Sequence, residues 1–164
     1  MEQYLAKAIS SFGQTFHLMK GEEFVGMLSY KKWYSFNAQI ELASGSKYDL
    51  EQTGLFGTNI VLKDGETVLI NCHMNWKGQI IIESFFNDML VRYMLKNMYL
   101  INDKIVLLNS DEKELMTMIP DNKWFETNRC VDLVLSEELG TLPNKELFLL
   151  TALHCTNNLL TEGL

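Results

Sequence analysis

The run Glu146-Leu-Phe-Leu-Leu-Thr-Ala-Leu-His-Cys155, opened by Pro143, decides the fold. At 100° per residue, Leu147, Phe148, Leu149, Leu150, Leu153 and Cys155 point in almost every direction, whereas a surface helix keeps one broad polar face. A helix of this kind must be surrounded. The sequence before it reads almost entirely as β-strand, which predicts a sheet closed around a helix running from about Pro143 to Leu160.

Working back from the helix, Phe36-Asn-Ala-Gln-Ile-Glu-Leu42 alternates apolar and polar residues as a half-buried antiparallel strand does. Asp64-Gly65 between Asn59-Ile-Val-Leu-Lys63 and Glu66-Thr-Val-Leu-Ile-Asn71 predicts a hairpin with a type I′ turn. Asn75-Trp-Lys-Gly78 predicts a second turn, leading into Gln79-Ile-Ile-Ile-Glu83. Further strands are expected at Phe24 to Tyr30, Lys47 to Glu51, Leu90 to Lys96, Lys104 to Asn109, Glu114 to Ile119 and Arg129 to Leu135. Residues 83–98 also fit a helical spacing, through Met89, Leu90, Tyr93 and Met94. Glu2 to Ile9 reads as a short helix or a lead-in. The expectation is one domain over residues 1–164, an antiparallel β-barrel of about eleven to twelve strands around a C-terminal apolar helix.

Composition narrows the function classes. The 164 residues carry 47% hydrophobic and 21% charged residues, the balance of an ordinary globular core. A formal charge of −7, with lysines mostly scattered singly and arginine only at 92 and 129, argues against nucleic acid as a partner and makes contact with an anionic membrane unfavourable. Cys72, Cys130 and Cys155 have no CxxC spacing and read as free, mostly buried thiols. With an N-terminus that lacks a signal-peptide pattern, they predict a reducing, cytoplasmic setting. No apolar run approaches the roughly 20 residues of a membrane-spanning helix.

A barrel of short strands closed on an apolar C-terminal helix resembles the tubby C-terminal-like superfamily, which includes tubby domains, plant LURP-one-related proteins and phospholipid scramblases. The Asn59 to Asn71 hairpin, the strand series over most of residues 14–135 and the Glu146 to Cys155 helix carry the resemblance. It implies the fold and, through tubby domains, binding of phosphoinositide or phospholipid head groups by lysine and arginine. The chain departs from that pattern: it has no clustered arginine and lysine at a head-group site, no calcium loop and no membrane anchor. What the resemblance implies is a compact bacterial-type relative.

Two groups of side chains are candidates for binding. On the helix, Thr151, His154 and Asn158 fall at i, i+3 and i+7 and form a narrow polar stripe on an apolar rod. The plainer reading is that they satisfy polar groups of the wall. In the segment Tyr30-Lys31-Lys32-Trp33-Tyr34, two lysines stand among three aromatics, a composition suited to an anionic ligand or an interface. Trp76 and Trp124-Phe125 sit at turns, and core packing is the commoner fate of such rings. Methionines such as Met89, Met94, Met98, Met116 and Met118 are expected to fill the core.

Catalytic and metal chemistry find little in the sequence. Cys72 and His73 face opposite sides of a strand, and His154 and Cys155 diverge by about 100° on a helix. A nucleophilic thiol therefore needs a base supplied by the fold, such as His17 or His154 for Cys72. No zinc-ligand spacing, P-loop or GxGxxG occurs, so no cofactor or metal is expected. Three readings follow: a binding or interaction module for a protein or small ligand, a lipid head-group binder, and a Cys/His-dependent hydrolase.

Overall fold

The computed structural model describes residues 1–9, 15–31, 37–54, 59–98, 104–121 and 129–162, with side chains through Asn157 in the last segment. Twelve strands form a closed antiparallel barrel. In chain order they are β1 (Glu2–Ala8), β2 (Thr15–Lys20), β3 (Glu23–Tyr30), β4 (Ala38–Leu42), β5 (Lys47–Thr53), β6 (Asn59–Asp64), β7 (Thr67–Met74), β8 (Ile80–Ser84), β9 (Val91–Met98), β10 (Lys104–Leu108), β11 (Glu114–Pro120) and β12 (Cys130–Leu135). Two helices follow, α1 (Glu137–Gly140) and α2 (Lys145–Glu162). Each strand pairs with its sequence neighbours, and β1 pairs with β12 to close the ring, which leaves no free sheet edge.

Alternation sends one residue in two inward. Leu50, for example, lies between Ala38 of β4 and Leu62 of β6, and all three are buried. The expected helix or lead-in at Glu2 to Ile9 is instead a strand. Tyr4, Ala6 and Ala8 are its inward residues, and two alanines give too weak an apolar signal to read from sequence. Residues 91–98 settle as β9, because Tyr93 and Leu95 face inward while Met94 faces outward. The turn after β6 also differs from expectation. Asp64 pairs with Thr67, and the loop is Gly65-Glu66 with positive φ at Gly65 alone, which is the type II′ requirement of glycine at the first central position. A register shift at Leu62/Lys63 moves the turn one residue on.

Helix α2 runs inside the barrel. Ten consecutive residues, Leu147 to Thr156, are each at most 1% exposed, which no helix lying against one face of a sheet achieves. Its contacts go to walls all round the ring: Leu150 to β3 at Gly26, Phe148 to β9 at Tyr93, and Thr156 to β11 at Met118. Gly26 is where β3 passes closest, since a Cβ there would stand 2.9 Å from Leu150 Cδ1. At the start of α2, Lys145 Nζ donates to Glu2 Oε2 at 2.8 Å and to the Gly140 carbonyl at 3.0 Å, tying the helix to β1. The lysine holds the Glu2 carboxyl below its usual range, and burial with the Glu2 contact pushes the Tyr4 hydroxyl up to about 12.

Candidate functional site

The two candidate groups of the sequence, separated by 124 residues, meet inside the barrel. Tyr30 closes β3 at the end towards which α2 runs, and its hydroxyl lies 2.7 Å from His154 Nδ1. Asn157, one turn on from His154, donates from Nδ2 to the same hydroxyl at 3.2 Å. The Tyr30 oxygen accepts from Asn157, and the hydroxyl and Nδ1 share one hydrogen bond whose donor is set by the tautomer of the neutral imidazole. Burial holds the imidazole at about 4, below its ordinary value, and burial likewise raises the Tyr30 phenol. Tyr30 is half-buried, with its hydroxyl turned to α2, and Lys31 beside it is exposed. The i+3 spacing from His154 was the available signal for Asn157, but the sequence stripe chose Asn158.

Thr151 is buried and donates to the Leu147 carbonyl at 2.9 Å, the ordinary back-bond of a helical threonine. Lys31 is exposed just beyond β3. Lys32, Trp33 and Tyr34 lie outside the described residues, as do Trp124-Phe125 and the side chain of Asn158.

Trp76 corrects the expectation that the turn aromatics pack in the core. It is 89% exposed at the tip of the β7–β8 hairpin, with the Lys77 ammonium 5.2 Å from its ring centroid. The hairpin is held by Asn75, whose Oδ1 accepts from the Lys77 and Gln79 amides at 3.0 and 2.9 Å. Met89, expected in the core, is 66% exposed, whereas Met116 and Met118 do fill it.

The thiols are placed against nucleophilic use. Cys72 faces the lumen, and the neighbouring Cys155 thiol together with burial holds the Cys72 thiol well above its ordinary range. His17 stands on a partly exposed position of β2 against Phe24, and His73 lies 3.8 Å from Glu83 on the outer wall. Burial also raises Cys130, with the Asp121 carboxylate adding to it. Ellman's reagent at neutral pH is therefore expected to leave Cys72 and Cys155 unmodified in the native protein and to titrate both at once in denaturant. Rapid native labelling of Cys72 contradicts this placement.

Among the described residues no group of three His, Cys, Asp or Glu side chains could hold a metal. Among the same residues no helix is long and apolar enough to cross a membrane. The chain matches no protein-family model, no curated protein and no solved structure.

Proposed function

We propose that this protein is a binding or interaction module that meets its partner with groups on the ends and outside of the barrel. The observation that carries the reading is the filled lumen. Small barrels that hold a ligand keep it in the space that α2 occupies here, from Leu147 to Thr156. Of the polar groups on that helix, His154 and Thr151 are buried and packed against wall and helix groups, which favours a role in the fold. The buried Cys72 thiol, held above its ordinary range, gives a Cys/His-dependent hydrolase no support. Challenge with the apolar dye 1-anilinonaphthalene-8-sulfonate tests the reading: uptake by native protein is expected to be confined to exposed apolar surface and to fall with Leu90→Ser, an outer position, whereas saturable one-to-one uptake that Leu90→Ser leaves unchanged would place a ligand site in the lumen instead.

One observation favours the second reading, a lipid head-group binder of the kind the tubby-like resemblance suggests. Trp76 and Lys77 present an indole and an ammonium together at a rigid tip, and that pairing partitions to the membrane–water interface. This reading predicts that vesicles of mixed phosphatidylcholine and phosphatidylserine sediment the protein at low salt. Trp76→Ala with Lys77→Glu should then release it about tenfold. No sedimentation of the unaltered protein removes the lipid reading.

A further inference from the structure

We propose that the groove beside α1 is a docking surface for an apolar segment of a partner protein that carries lysine or arginine. The inference rests on the reading of the chain as an interaction module and gives that module a surface and a partner chemistry. The groove lies at the end of the barrel opposite the Tyr30 end and encloses about 300 Å³. Val91 and Tyr93 of β9, Leu115 of β11, and Leu139 and Leu142 around α1 make its apolar lining, while Arg92, Asp111 and Glu138 bring charge to it.

Its walls are fixed before any partner arrives. The β10–β11 turn is tied by Asn109, whose Oδ1 accepts from the Asp111 and Lys113 amides at 3.0 Å each, and Ser110 Oγ donates to the Arg92 carbonyl at 3.3 Å. On the other side, Ser136 caps α1 by accepting from the Leu139 amide, and Lys113 Nζ bridges turn and helix through Glu138 Oε2 at 2.8 Å. A preformed groove spares a partner the entropy of ordering it.

Exposed apolar residues precede the groove lining in the chain. Leu90 and Met89, which precede Val91, are 54% and 66% exposed. Two consecutive non-glycine residues with positive φ, Asn87 at 57° and Asp88 at 56°, bring the chain to this point, an arrangement uncommon outside glycine. A ligand no larger than the cavity leaves Leu90 and Met89 uncovered, whereas an extended segment of a protein covers both.

Charge specifies the segment. The stretches that carry and flank the lining, residues 88–93, 109–115 and 137–142, hold the carboxylates Asp88, Asp111, Glu112, Glu114, Glu137 and Glu138 against only Arg92 and Lys113. Both cations are already engaged, Arg92 by Glu83 at 2.9 Å and Lys113 by Glu138. Asp88, Asp111, Glu112 and Glu137 are exposed and make no ion pair among the described residues. Asp111 is the unpaired carboxylate of the lining, and the exposed Asp88, Glu112 and Glu137 flank lining residues in the chain, so an apolar floor with this acidic surround is complementary to a segment that pairs aliphatic side chains with lysine or arginine, and it repels an acidic one.

The test uses the full chain and a fluorescein-labelled peptide of alternating leucine and lysine, with a leucine–glutamate peptide of equal length as control. Anisotropy at low salt is expected to show saturable binding of the lysine peptide alone. Asp111→Lys with Glu137→Lys should weaken it about tenfold, and Leu90→Ser several-fold. The same charge change at the exposed β2–β3 turn, Glu22→Lys with Glu23→Lys, should leave it within about twofold. Equal weakening by the two charge reversals, indifference to Leu90→Ser, binding of the glutamate peptide or no binding at all each overturns the proposal. So does a dimer in sedimentation equilibrium that Leu90→Ser dissolves, since the groove then serves a second copy of the chain. Peptide bound elsewhere on the barrel leaves the module reading standing without this groove, whereas dye uptake by the lumen strikes that reading and not the groove.

Discussion

Phe148→Ala is expected to destabilise the protein by about 3 to 5 kcal/mol, lowering its melting temperature on the order of 10 °C. The ring is fully buried at the helix–wall contact, 4.9 Å from the Tyr93 ring at an interplanar angle of 62°, an edge-to-face arrangement. Truncation to alanine removes those contacts on a helix whose neighbours are equally buried, so the strand wall can collapse only partly onto the space left. Phe148→Leu retains most of the volume and should cost roughly half as much. Thermal and urea melts of the two variants measure the difference. A loss below about 1 kcal/mol for the alanine variant would mean that the ring does not stand at the centre of the packing.

Acid should destabilise the fold through His154. The imidazole is held at about 4 in the native state, against about 6.5 in an unfolded chain, so between these values the unfolded chain binds a proton that the native chain refuses. Stability is therefore full above about pH 6.5, falls as pH drops through the window, and flattens for this group near pH 4. The loss between pH 7 and pH 5 should be about 2 kcal/mol. His154→Gln, which does not titrate, should lose correspondingly less over the same interval. Parallel stability curves for the two proteins, from urea titrations at each pH, would show that His154 is charged in the fold or is reached by water.

The central helix was legible from sequence because its meaning is local: ten residues without a polar face need walls on every side, and alternation in Phe36 to Leu42 supplies the kind of wall. Legibility failed where apolar signal is thin or pairing is distant. Alanines at 6 and 8 do not announce a strand, yet β1 closes the ring with β12 more than 120 residues away. A one-residue register shift at Leu62/Lys63 changed the turn type without altering the hairpin. Of the candidate site, the polar helical position 154 was visible, but its partner Tyr30 was not, since nothing local connects a strand end to a helix 124 residues later. The groove beside α1 was invisible for the same reason: three separate stretches build it, and α1 itself spans only four residues.

The central claim is that α2 is the enclosed axle of the barrel and not a helix docked on its outside. Hydrogen exchange resolved at the amides of Leu147 to Thr156 tests this most directly, with the β6–β7 hairpin amides as the internal reference. An enclosed helix is expected to exchange only through the same global opening as that hairpin, with equal protection and equal dependence on denaturant. Exchange of the helix amides by a separate, much lower-energy opening while β6 and β7 remain protected would contradict it.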